Sequence, residues 1–193
     1  MPDTHSATGS FAKMALKPTI FKLQIALADS DSDRYESFSV TLARHPSETQ
    51  ERMTARLLVY CLQWEPLLTF TRGLSSTEEP DLWVCDHGGD ILHWIEIGQP
   101  EEPRLRKACG RARTVSVYAF GNRATTWWKR NAATVSALPR LSVWQLDWSE
   151  ICKAGELVER GAQLNVSIAG GTVYLDNGSA NYSVEPQLLH QPG

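Results

Sequence analysis

The chain has 193 residues, 42% of them hydrophobic and 21% charged, with a formal net charge of -3 at pH 7. That length buries one substantial core, and that charge excludes wholesale electrostatic binding to nucleic acid or an anionic membrane, so such a partner must be met by a local patch. No apolar run suits a membrane span, no leader signal opens the chain, and Cys61, Cys85, Cys109 and Cys152 form no C-x-x-C pair, so a cytoplasmic protein with reduced core thiols is expected.

Residues 1–13 are polar and patternless and read as a leader or added segment outside the fold, leaving 14–193 as one domain. Alternation over Ile20 to Ala28 and Tyr35 to Leu42, with an Asp/Ser-rich turn between, predicts a hairpin. Pro46, Ser47 and Gln50 open a helix in a capping-box-like pattern; Met53, Leu57, Cys61 and Trp64 form its apolar stripe, and Pro66 stops it. Strands follow at 67–71, 81–86 and 91–97, the last two joined by a turn at 87–90. Next come a helix from Pro103 to about Arg113, a strand at 114–120, a helix at 125–138, a strand at 141–146 and a short helix at 149–159. A hairpin about Gly170 and Gly171 closes the chain. The prediction is an α/β domain with a mixed central sheet flanked by helices, a core in the order α-β-β-β-α-β, and extra hairpins at both ends.

The strongest chemical signal is Pro80-Asp81 with Glu96. If the 87–90 turn closes its hairpin symmetrically, Asp81 faces Glu96 on adjacent strands, where Cβ atoms lie about 4.5–5.5 Å apart and like charges repel unless something positive intervenes. A hard divalent cation, Mg²⁺ or Mn²⁺, suits such a pair and supplies what phosphodiester hydrolysis needs. The competing reading is a strand-end Asp and Glu exposed to solvent. Apolar neighbours on both faces of the hairpin (Trp83, Cys85, Leu92 and Trp94; Leu82, Val84, Ile95 and Ile97) argue for burial instead.

The strings HPSETQERMTARLL (45–58), RGLSSTEEPDLW (72–83) and EIGQPEEPRLRKACGRA (96–112) resemble those of the YaeQ family from Met14 nearly to the C-terminus. That family is similar to a compact variant of the PD-(D/E)XK, restriction endonuclease-like fold. The resemblance implies that Asp81, Glu96 and an acid on the first helix, Glu51 or Glu48, hold the metal. It implies a metal-dependent nuclease-like protein acting on or binding a nucleic-acid backbone; the alternative is a catalytically inactive interaction protein linked to transcription elongation. The sequence departs from the nuclease pattern where a lysine is expected two residues after the second acid: that position is Gly98. Lys107 on the following helix, or Gln99, is the substitute polar group for a catalytic role.

Helical geometry places Glu51 at the edge of the Met53 stripe and Glu48 nearly opposite it, which makes Glu51 the better ligand and gives Glu48 a role at the helix dipole. Arg104, Lys107 and Arg111 share one side of the next helix and form the candidate phosphate-contacting face, against the plainer reading of a solvated face balanced by Glu101 and Glu102. Trp127 and Trp128 beside Lys129 and Arg130 suit base stacking or core packing. The histidines show no zinc spacing, and no dinucleotide, P-loop or serine-hydrolase motif is present.

Overall fold

Strict alternation shapes the first hairpin in the computed structural model, which describes residues 17–72 and 78–192. In β1 (Thr19–Asp29) the odd-numbered Phe21, Leu23, Ile25 and Leu27 are buried, while the even-numbered residues between them face outward. β2 (Arg34–Arg44) pairs with β1 antiparallel in unbroken register, Asp29 opposite Arg34 and Thr19 opposite Arg44. The proposed leader, residues 1–13, lies outside the described residues.

The first helix, α1 (Gln50–Leu62), is capped by Thr49, whose side chain accepts the Arg52 N–H at 3.2 Å. The cap is therefore two residues later than the Ser47 that the capping-box pattern implies, and Glu48 precedes the helix instead of lying in its first turn. β3 (Leu68–Phe70), β4 (Leu82–Cys85) and β5 (Ile91–Ile97) follow, then α2 (Glu102–Arg111), β6 (Ala112–Ala119), α3 (Ala124–Ser136), β7 (Leu141–Gln145) and α4 (Trp148–Gly155). The chain ends with β8 (Gln163–Ala169), β9 (Thr172–Asp176), β10 (Asn181–Val184) and β11 (Gln187–His190).

Among the described residues there are two mixed sheets where the sequence suggested one. β1 runs parallel to β8, so the N- and C-terminal hairpins merge into a five-stranded sheet, β10-β9-β8-β1-β2. The second sheet has six strands, β11-β7-β6-β5-β4-β3, with β5, β6 and β7 parallel. One core joins the inner face of the first sheet to α1, α4 and one side of the second sheet; another packs α2 and α3 on that sheet's far side, around Trp94, Leu105, Val117, Val135 and Val143. The cysteines are free, and burial pushes the Cys61 thiol up to about 12. No helix among the described residues is long and apolar enough to cross a membrane.

Candidate functional site

β4 and β5 pair Leu82 with Ile95, Trp83 with Trp94 and Val84 with His93. Asp81 directly precedes β4, and its N–H donates at 3.1 Å to the carbonyl of Ile95, the partner of Leu82, and not to Glu96 as a regular continuation of the register would have it. The loop behind this register differs from a symmetric 87–90 turn. Asp86 accepts the Gly88 and Asp90 N–H groups at 2.9 and 3.0 Å, and Gly89 takes a φ of 89°, which tightens the turn. Cys85 then pairs with Ile91, and an irregularity between Val84 and Cys85 restores the alignment that sets Val84 against His93 and Leu82 against Ile95.

Both acids are almost fully buried, Asp81 at 2% exposure and Glu96 at 4%, and Glu48 joins them at 7%. The positive charge beside each of them comes from arginines. Arg52 Nη2 donates to Asp81 Oδ1 at 2.5 Å and Nη1 to Glu48 Oε1 at 2.8 Å, while the Ile97 N–H takes Asp81 Oδ2 at 2.8 Å. Arg56 holds both Glu48 oxygens, at 2.8 and 2.7 Å. On the α2 side, Glu96 Oε1 accepts from Trp94 Nε1 and Arg104 Nε, each at 2.7 Å. Three carboxylates thus meet three guanidiniums in two neighbouring sets, Glu48 and Asp81 with Arg52 and Arg56 on the α1 side and Glu96 with Arg104 on the α2 side.

Electrostatics follow from that matching. Burial works against the Arg52 cation, yet Asp81 and Glu48 more than offset it and hold the guanidinium above its ordinary value. Glu96 is pushed up, first by burial and further by the nearby Asp81 charge, with Arg104 and Trp94 opposing. Arg52 and Arg104 are the solvent-facing members, with side chains 17% and 29% exposed over the buried acids.

The remaining sequence candidates lie elsewhere. Glu51 is directed toward α4, where its charge adds to burial in raising the Cys152 thiol, so Glu48 and not Glu51 is the helix-proximal acid of the cluster. The inferred rotation missed this because Glu48 is not on the helix. Lys107 pairs with the exposed Glu78 and not with Asp81 or Glu96. Gln99 donates to the Phe120 carbonyl at 2.9 Å, bridging the ends of β5 and β6. Gly98, where a nuclease-like lysine is expected, has a φ of 123°, a conformation a lysine rarely adopts. Arg111 lies over the Trp94 ring, 5.4 Å from its centroid.

The donor set does not fit a resident Mg²⁺ or Mn²⁺. Both Asp81 oxygens and Glu96 Oε1 accept hydrogen bonds from the protein, and among the described residues no three His, Cys, Asp or Glu side chains are grouped to hold a metal ion. Arg52 and Arg56, the cations that matter most here, are not among the candidates that the sequence pattern singles out. They sit in one of its three family-like strings, and a buried acid pair short of positive charge was the signal that called for them.

Comparison with known proteins is consistent along the chain. The family model described as "YaeQ protein" matches residues 14–186. The uncharacterized YaeQ proteins of Salmonella typhi and Escherichia coli (strain K12) are each 40% identical over 181 residues, covering 93% of this chain and 99% of theirs. The crystal structure of the YaeQ protein from Xanthomonas axonopodis pv. citri superimposes with a TM-score of 0.87 at 39% identity, over 91% of this chain and 99% of that one. That from Pseudomonas syringae gives 0.86 at 34% identity, over 90% and 97%.

Proposed function

This chain belongs to the YaeQ family, and from that premise we propose that it is a catalytically inactive interaction protein on a restriction endonuclease-like fold, binding a nucleic-acid backbone through its α2–α3 face. The order α1-β3-β4-β5-α2-β6 is the arrangement that the PD-(D/E)XK resemblance implies, which supports the fold reading. A fold of this kind does not carry its chemistry with it, and the acid pair is neutralised by arginine.

The observation that carries the binding reading is charge segregation. Residues 103–146 hold nine Lys and Arg and no Asp or Glu, in a chain whose net charge is -3. The segment runs from α2 through β7 and places both of its helices on one side of the six-stranded sheet. Cations of α2 and its end are paired: Arg104 with Glu96, Arg106 with Glu102, Lys107 with Glu78, and Arg113 with Asp86 and Asp90. Arg123, Lys129, Arg130 and Arg140 are exposed, and none of them is in an ion pair among the described residues. These are the charges open to phosphate, and the half-buried Trp127 and Trp128, ring centroids 6.2 Å apart, lie on the same helix for base stacking.

Fluorescence anisotropy with labelled single-stranded DNA and RNA tests this. Wild type binds, with affinity falling steeply as salt rises, and Lys129→Glu with Arg130→Glu weakens binding by about tenfold or more. No binding at low salt, or unchanged binding by the double variant, overturns the reading. A second reading, metal-dependent cleavage of that backbone with Mg²⁺ or Mn²⁺ at Asp81 and Glu96, draws support from the burial of both acids at one end of the sheet. It requires Arg52 to release Asp81.

A further inference from the structure

The outer edge of the five-stranded sheet carries a different kind of site. β2 is its terminal strand, eleven residues long, with no proline, no lysine and no irregularity in its register with β1. Natural edge strands of this length are ordinarily blunted by such devices.

Which backbone groups face outward follows from two observations. A four-residue loop joins Asp29 to Arg34, so that closing pair and every second pair after it exchange hydrogen bonds within the hairpin, directing the even-numbered residues of β2 toward β1. Independently, Arg56 Nη2 reaches the Ala43 carbonyl from α1 at 2.9 Å, so the odd-numbered carbonyls point away from β1. Tyr35, Ser37, Ser39 and Thr41 share that outward direction, all four are exposed, and no backbone hydrogen bond beyond the hairpin engages them among the described residues. Beside the open edge stand Tyr35 at 67% exposure and the half-buried Phe38, stacked on Trp64 with centroids 5.6 Å apart.

We propose that β2 pairs antiparallel with β2 of a second copy of this chain, about a two-fold axis at Phe38, making one continuous ten-stranded sheet. The occupant is argued from self-complementarity. Centred on Phe38, Tyr35 faces Thr41 of the second copy and Ser37 faces its Ser39, so all four open residues are used and none is left over. Glu36 faces Val40 and Arg34 faces Leu42, with no like charges opposed. Centring one residue later, on Ser39, sets Arg34 against Arg44 and turns Tyr35 toward Ala43, whose carbonyl Arg56 already occupies. The side chains on the twofold, Phe38 and its symmetry mate, meet where Trp64 continues the apolar surface.

Sedimentation equilibrium of the full chain reads the assembly directly. Wild type gives twice the chain mass, and Ser39→Pro, which removes an outward N–H while leaving the β1 ladder intact, gives the monomer with its circular dichroism unchanged. Should Ser39→Pro not fold, mixing Ser37→Cys protein with Ser39→Cys protein under mild oxidation replaces it. The mixture cross-links far more than either variant alone in the register proposed. A wild type that stays monomeric at high concentration, a folded Ser39→Pro that still dimerises, or a mixture that cross-links no more than its components overturns the pairing.

Discussion

The carboxylate cluster and the α3 surface carry charge in opposite ways. Beneath α1 and α2, Glu48, Asp81 and Glu96 are buried and matched by Arg56, Arg52 and Arg104. On α3, Lys129 and Arg130 stand exposed with no acid in the surrounding sequence from 103 to 146. The dense basic segment of α2 therefore offers less open charge than the sparser α3, because its cations are spent on Glu78, Glu96 and Glu102. Residue density along the chain is a poor measure of the field a partner meets; pairing decides it.

The largest expected effect breaks the matched side. Glu48→Ala leaves Arg56 buried without its bidentate partner and costs about 3–5 kcal/mol, read by urea denaturation. A loss close to zero would mean that the cluster is not a coupled unit. By contrast, Lys129→Glu with Arg130→Glu leaves the melting temperature unchanged while it weakens nucleic-acid binding, because no buried contact is lost.

A smaller effect sharpens the comparison at a half-buried group that has no ion-pair partner among the described residues. His93 donates to or accepts from the Ser116 hydroxyl at 2.8 Å, and burial lowers its pKa to about 4. The folded form resists the proton that the unfolded chain accepts below its ordinary value, so stability falls as pH drops from about 6.5 to about 4 and is unaffected by this group above that window. The loss is of the order of 2–3 kcal/mol. In His93→Gln that portion of the pH dependence disappears; an unaltered acid limb would assign it to other groups.

Most elements were legible because the hydrophobic period is local: the hairpin of β1 and β2, the α1 stripe and the parallel strands all come from spacing alone. The β4–β5 register beside Asp81 was legible for a less secure reason. The loop is shorter than a symmetric 87–90 turn and the irregularity beside Cys85 compensates for it, so two local details that spacing does not encode cancel. What stayed hidden was long-range. The parallel β1–β8 pairing joins residues more than a hundred positions apart, and β10 and β11 are four residues each, too short to show a period. The arginine partners were hidden for the same reason, since Arg52 meets Asp81 only after α1 packs against the second sheet.

The most direct measurement follows binding and chain integrity together, with labelled single-stranded DNA and RNA incubated with folded protein in Mg²⁺ or Mn²⁺ and resolved on a denaturing gel after anisotropy has been read. Salt-sensitive binding with every strand intact is the expected result. Metal-stimulated shortening of the bound strand, abolished by Asp81→Asn, would contradict it and show that Arg52 yields its carboxylate to a metal.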